Sequence, residues 1–251
     1  MPKFVRFLVV FATASCWTLS SSAAEQDAYI IGVNDVYADS QSRAIIQRLF
    51  DDMYAPLRIT PELRFYPSRR GLQLADRLET DAEAGRVLQV AEQYPNLVVV
   101  PAAMLHHPIH FFCIDANRCN RSQEHLFAIV GGFQAGKAYC DKFGLDCFFD
   151  QSLTFLKTAL TNGAVDVLVG SPPTILNLFC QSALEQVYVR RESEMEIISY
   201  HLVNRLHNDK VPALQASIER MHREGGFDEF KRHINQLPVN CGIEIVELKR
   251  L

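Results

Sequence analysis

Short apolar runs alternate along this chain with segments whose apolar residues recur every three to four positions, and the alternation starts a second time near the middle. Ala28-Tyr29-Ile30-Ile31-Gly32-Val33 reads as a strand, and Asn34 to Ser40 as a polar turn. Arg43 to Met53 then sets Ile45, Ile46, Leu49, Phe50 and Met53 at helical spacing. A second strand is expected within Leu57 to Phe65, followed by a helix from Ser68, a residue able to cap it, to Leu78. Leu97-Val98-Val99-Val100 is an apolar strand continuing towards Ile109-His110-Phe111-Phe112. This β-α-β-α-β order marks an open, mostly parallel sheet with helices on its faces.

The order restarts with a strand at Phe127 to Val130, a helix at Gln134 to Phe143 and a short strand at Cys147-Phe148-Phe149. A helix at Ser152 to Leu160, a strand at Val165 to Val169, a helix from Pro172-Pro173 through Cys180 and an edge-like strand at Gln186 to Val189 follow. After Ile197-Ile198-Ser199-Tyr200, one long helix is expected from Pro212 to Gly225. Two such units without a flexible linker imply two lobes whose sheets share crossing strands. Ligands of these sheets bind outside the carboxyl ends of the strands, so the cleft between the lobes is the expected site.

The chain has 251 residues, 48% hydrophobic and 22% charged, which excludes disordered and multi-span membrane classes. With 25 basic against 29 acidic residues it carries no basic stripe to displace counterions, and nucleic acid is not an expected partner. Lys3 and Arg6, the apolar run Phe7 to Ala12 and the small residues Ser22-Ala23-Ala24 form a secretory signal, with cleavage expected near Ala24 and a periplasmic destination. Thr13-Ala14-Ser15-Cys16 resembles a lipoprotein box, but Thr13 stands where leucine is usual, so lipid anchoring at Cys16 is not expected. Cys113, Cys119, Cys140, Cys147, Cys180 and Cys241 are an even set in an exported chain and point to disulfides. Cys113/Cys119 and Cys140/Cys147 are near enough to close short loops, which leaves Cys180/Cys241 as a long-range staple.

Several segments then carry a resemblance. Tyr66-Pro67-Ser68-Arg69-Arg70-Gly71-Leu72-Gln73-Leu74-Ala75, Gly85-Arg86, Tyr94-Pro95-Asn96-Leu97, Gly131-Gly132-Phe133, Leu160-Thr161-Asn162-Gly163-Ala164-Val165-Asp166 and Met221 to Phe227 occur in an order that resembles bacterial extracellular solute-binding proteins of family 3, as a divergent branch. The resemblance implies an α/β, two-lobed periplasmic binding protein-like fold of type II, each lobe a mixed, mostly parallel sheet flanked by helices. It implies a first lobe from 25–110 plus 201–251, a second from 111–200, and hinge closure on a solute. The family motif that presents an arginine to an amino-acid carboxylate, ahead of a Phe-Ser-x-Pro-Tyr segment, is absent, and Pro101-Ala102-Ala103-Met104-Leu105 stands where that segment would end.

Candidate ligand-binding residues follow from strand ends and helix starts. Asp35 accepts from an ammonium and Tyr37 stacks on a ligand, or both belong to a solvated turn. Tyr66 and Arg69 occupy the next strand-to-helix turn, where Arg69 forks onto a carboxylate or lies on the surface. Arg86 is either an anion clamp, as the resemblance implies, or half of a structural ion pair. Gly132, Phe133 and Gln134 belong to Gly131 to Lys137, which fits G-x-x-x-x-G-K. Ala138 replaces the Ser or Thr that a magnesium-nucleotide loop needs, so what survives is a helix start whose N–H groups favour an anion. Gln151 and Ser171 follow second-lobe strands, and Asp150 and Ser171 are equally suited to cap helices. Of His106, His107 and His110, only the first and last would share a strand face, so a metal site is not expected.

No G-x-S-x-G or H-E-x-x-H motif occurs. The expected protein is therefore a monomer without cofactor or catalytic activity, capturing an anionic or zwitterionic small molecule for an ABC permease or a membrane sensor. The rival expectation is an accessory protein that kept the fold, lost its solute and has a narrow or filled cleft.

Overall fold

The computed structural model describes residues 28–131, 133–179, 184–235 and 242–250. The leader 1–24 with Cys16, and Gly132, Cys180 and Cys241, lie outside them.

The first lobe opens with β1 (Ile30–Asn34), α1 (Ser40–Tyr54), β2 (Glu62–Tyr66), α2 (Ser68–Asp76), β3 (Ala82–Arg86) and α3 (Leu88–Ala91). Asp39 caps α1 by accepting from the Gln41 and Ser42 amides. Ser68 does not cap α2: it is the first helical residue, and Pro67 holds the cap position. Strand β1 pairs in parallel with β2 and β3. Its inward residues Ile31 and Val33 meet Ile45, Ile46, Leu49 and Phe50 of α1. On the other sheet face, Leu72 and Ala75 of α2 pack with Leu97 and Leu202.

β4 (Leu97–Cys113) then runs into the second lobe, built from β5 (Leu126–Val130), α4 (Gln134–Phe143), β6 (Asp146–Asp150), α5 (Leu153–Thr161), β7 (Val167–Gly170) and α6 (Pro172–Phe179). Period-two alternation sorts its core onto two faces. Phe127, Ile129, Val167 and Val169 face Tyr139 and Cys140 of α4. Ala128 and Leu168 face Leu156 and Leu160 of α5 and Ile175 and Phe179 of α6. The expected short-loop disulfides are formed: Cys113–Cys119, with Cα atoms 5.5 Å apart, and Cys140–Cys147, at 6.3 Å.

β8 (Gln186–Asn204) returns antiparallel to β4, followed by α7 (Val211–Glu224), α8 (Asp228–Asn235) and β9 (Glu244–Leu248). Gly225, at φ 78°, ends α7 in the left-handed conformation that favours glycine. The register of β4 on β8 shifts between Val99 and Ala103, between Ala103 and Leu105, and between Pro108 and His110. Pro101 and Pro108 lie in these irregular stretches, where a missing ladder donor does least harm. All strands form one sheet in the order β2-β1-β3-β8-β4-β7-β5-β6, with β9 against β8.

Two further expectations are corrected. Gln186 to Val189 is not an edge: Val189 pairs with Phe112 on one side and Glu247 on the other. The terminal strand, placed with the first lobe by the 201–251 boundary, instead pairs with Gln186–Arg190, and Ile243 and Ile245 pack against the second-lobe core.

Candidate functional site

At the carboxyl edge of the first-lobe sheet, the ends of β1 and β3 and the start of α2 bring together Asn34, Gly85, Arg86 and Ser68 around a cavity of about 250 Å³. The second lobe contributes Phe133, Ser171 and Pro172 to the same cavity, and the crossing strands contribute Leu105, His107 and Ile197. On one side the lobes touch, because α6 packs against α8 and against the 3-10 turn Asp35–Tyr37.

Arg86 carries the one charge in the described lining, and how it is held follows from the backbone. In a regular strand, residues three apart point to opposite faces. Here β3 shifts register on β8 between Glu83 and Arg86, and Gly85 sits at φ 36°. This bulge swings Arg86 back so that its guanidinium donates to the Glu83 carboxylate. Glu83 is wholly buried, and two glycines make its slot. A Cβ at Gly32 would overlap Glu83 Oε2, and one at Gly71 would lie 2.8 Å from both carboxylate oxygens. Burial pushes the Glu83 pKa up, opposed by the adjacent Arg86 charge. Arg86 is thus both the structural ion pair and a wall of the cavity. Its Nε, Glu83 Oε2 and Ser199 Oγ are buried with no hydrogen-bond partner among the described residues.

The other expected residues divide. Tyr37 lines the cavity, with its ring 5.7 Å from Phe230 edge-on, and burial raises its pKa. Phe133 lines it from the N-cap of α4, and Ser171 from the start of α6. Asp35 is exposed in the 3-10 turn, where Asn34 Oδ1 accepts the Val36 amide, so the local-backbone role holds there. Tyr66 is half-buried, with Arg70 5.9 Å over its ring, and Arg69 is exposed in the first turn of α2; neither lines the cavity. Gln151 is exposed and packs beside Gly131, outside the lining. Asp150 accepts the Ser152 amide at 2.7 Å, and Ser152 caps α5. Gly132 and the Gln134 side chain lie outside what is described.

The three histidines go three ways. His106 is exposed, with Nδ1 3.3 Å from Glu196. His110 is buried in β4, and desolvation pushes its pKa down to about 4. His107 faces the cavity; desolvation, joined by the His106 and Lys231 charges and opposed by Glu196, pushes it down to about 4. It is neutral at pH 7. Sequence reading missed His107 and Ser199 as lining residues. It also missed Phe230 and Ile234, because α8 has no apolar stripe long enough to announce it.

No protein-family model and no curated protein matches the sequence. Solved structures do match the fold. The ligand-binding core of GluR0 from Nostoc punctiforme, in complex with L-glutamate, aligns with a TM-score of 0.60 at 11% identity, over 82% of this chain and 99% of that one. The second substrate-binding domain of a putative amino acid ABC transporter from Streptococcus pneumoniae aligns at 0.57 and 14% identity, over 83% and 100%. A histidine kinase sensor domain with similarity to periplasmic binding proteins aligns at 0.62 and 12% identity, over 83% and 96%. The chain is built as a two-lobed, periplasmic binding protein-like α/β molecule, and its resemblance to the family 3 solute-binding proteins holds in the fold.

Proposed function

We propose that this chain is an exported solute-binding protein that holds an anionic or zwitterionic small molecule between its lobes and presents the closed form to a membrane permease or sensor. The observation that carries the reading is the cavity of about 250 Å³, walled by both lobes and holding the Arg86 guanidinium. A volume just below the usual range for drug-sized ligands suits a metabolite of modest size. Supporting it, the aligned structures include a transporter's substrate-binding domain and a kinase's sensor domain. The lobes divide near residues 110 and 200, with the terminal strand joining the second. The register shifts between Val99 and His110 are the natural place for them to hinge. An open cavity with unpartnered polar atoms speaks against the filled cleft of an accessory protein.

The test is thermal shift on the secreted chain, refolded from denaturant to strip bound solute, against amino acids, organic acids, polyamines and phosphonates. A specific ligand at 100 times its dissociation constant adds about 2.7 kcal/mol. At this size each kcal/mol raises Tm by about 2–4 °C. One chemical class producing such a shift is the expected result; silence across the panel favours the accessory protein.

A further inference from the structure

The cavity is not confined to the cleft. Ile46, Leu49 and Phe50, on the inward face of α1, and Phe230 and Ile234, on the inward face of α8, line it, and all five belong to the buried core of the first lobe. The space therefore joins a polar end at Arg86 and Ser199 to hydrocarbon between two helices.

The polar end is rich in donors. A guanidinium offers five N–H donors. Arg86 gives one nitrogen to Glu83, reaches the Gly85 carbonyl with another at 3.4 Å, and leaves Nε without a partner among the described residues. Ser199 Oγ, on a residue 6% exposed, is likewise unpartnered. Donors are waiting for an acceptor. No Asp or Glu is among the described lining residues. Glu83, the nearest carboxylate to Arg86, gives one oxygen to it and keeps the other, Oε2, in the slot against Gly32 and Gly71 rather than in the lining, and Asp35 is exposed.

We infer that the ligand is a small monocarboxylic acid with an uncharged hydrocarbon body, its carboxylate at Arg86 and Ser199 and its body between α1 and α8, and that the matching α-amino acid is rejected. This rests on the solute-binding function proposed above and narrows it. An ammonium on the α-carbon would be desolvated beside a guanidinium with no carboxylate in the described lining to receive it, a costly arrangement in a buried site.

The test is calorimetric titration of the refolded, secreted chain with three matched six-carbon series: hexanoate and 4-methylpentanoate, L-norleucine and L-leucine, and hexan-1-ol. The acids are expected to bind at least a hundredfold more tightly than the amino acids and tenfold more tightly than the alcohol. The paired variant Glu83→Gln with Arg86→Gln removes both charges together and is expected to abolish the preference for acid over alcohol. If that variant does not fold, the wild-type series still decides. Amino acids binding as well as the acids, or the alcohol matching them, overturns the inference while leaving solute binding intact. Silence from all three series with a shift from another panel compound does the same, and silence from every compound sinks both.

Discussion

Glu83 and Arg86 hold each other in a slot that only glycine permits, so their contributions are coupled. Glu83→Ala leaves a guanidinium only 10% exposed without its counter-charge and is expected to cost about 3–5 kcal/mol. The double variant with both residues as Gln should cost markedly less, and comparing urea midpoints measures the difference. If the single and double variants unfold at the same urea concentration, the pair is not coupled in this way. Gly32→Ala makes a separate prediction, because its new Cβ overlaps the buried end of the Glu83 side chain. Overpacking of this kind costs about 1–3 kcal/mol, and the same substitution combined with a shortened Glu83→Asp should recover part of it.

Among the elements, the bulge in β3 and the loop tied by Cys140–Cys147 bear the most weight for so few residues. Gly85→Ala forces a side chain into a left-handed backbone at about 1–2 kcal/mol. Because it also disturbs the swing of Arg86, acid affinity should fall along with the urea midpoint. An affinity unchanged at reduced stability would show that the bulge does not aim the guanidinium. Replacing Cys140 and Cys147 by Ser opens an eight-residue loop between α4 and β6 and should cost about 2–3 kcal/mol by chain entropy, read as a lower Tm. How much of these elements the sequence disclosed follows from their patterning. β1, β5, β7 and α1 announce themselves through uninterrupted apolar periodicity. β3, Ala82-Glu83-Ala84-Gly85-Arg86, does not, since it buries a charge and contains a glycine. The same bulge hid the site: Arg86 was legible as a candidate, its partner three residues upstream was not, because strand periodicity puts the two on opposite faces. The turn residues Asp35 and Arg69 have the right chemistry for a ligand and were indistinguishable by sequence from Tyr37, which alone of the three turns inward.

At the scale of the whole molecule, acid sensitivity should be pronounced. Burial holds His107 and His110 down to about 4 and His201 to about 3, against 6.5 when unfolded. The unfolded chain therefore binds protons that the native state refuses. The stability they supply is full above about pH 6.5 and is lost as pH falls towards 4, by up to about 1.4 kcal/mol per pH unit for each residue. Glu83, raised by burial, works the other way: its contribution is greatest at low pH and lost as pH rises through its folded pKa. Urea midpoints should drop from pH 7 to pH 5, and His201→Gln should flatten part of the slope. A level profile over that interval would contradict the buried-neutral assignment.

The pairing of β9 with β8 also dictates an order of events. The first-lobe core draws on α7 and α8, which lie beyond the second lobe in the chain, and the second lobe's outer strand arrives only with residues 244–248. Neither lobe is a contiguous stretch that can finish folding while the rest is still being made. A chain cut short before Glu244 would leave the Gln186–Arg190 edge bare, a row of open amides available to any passing strand. The molecule is therefore sealed only once residues 244–248 have been made, more than fifty positions after the strand they cover.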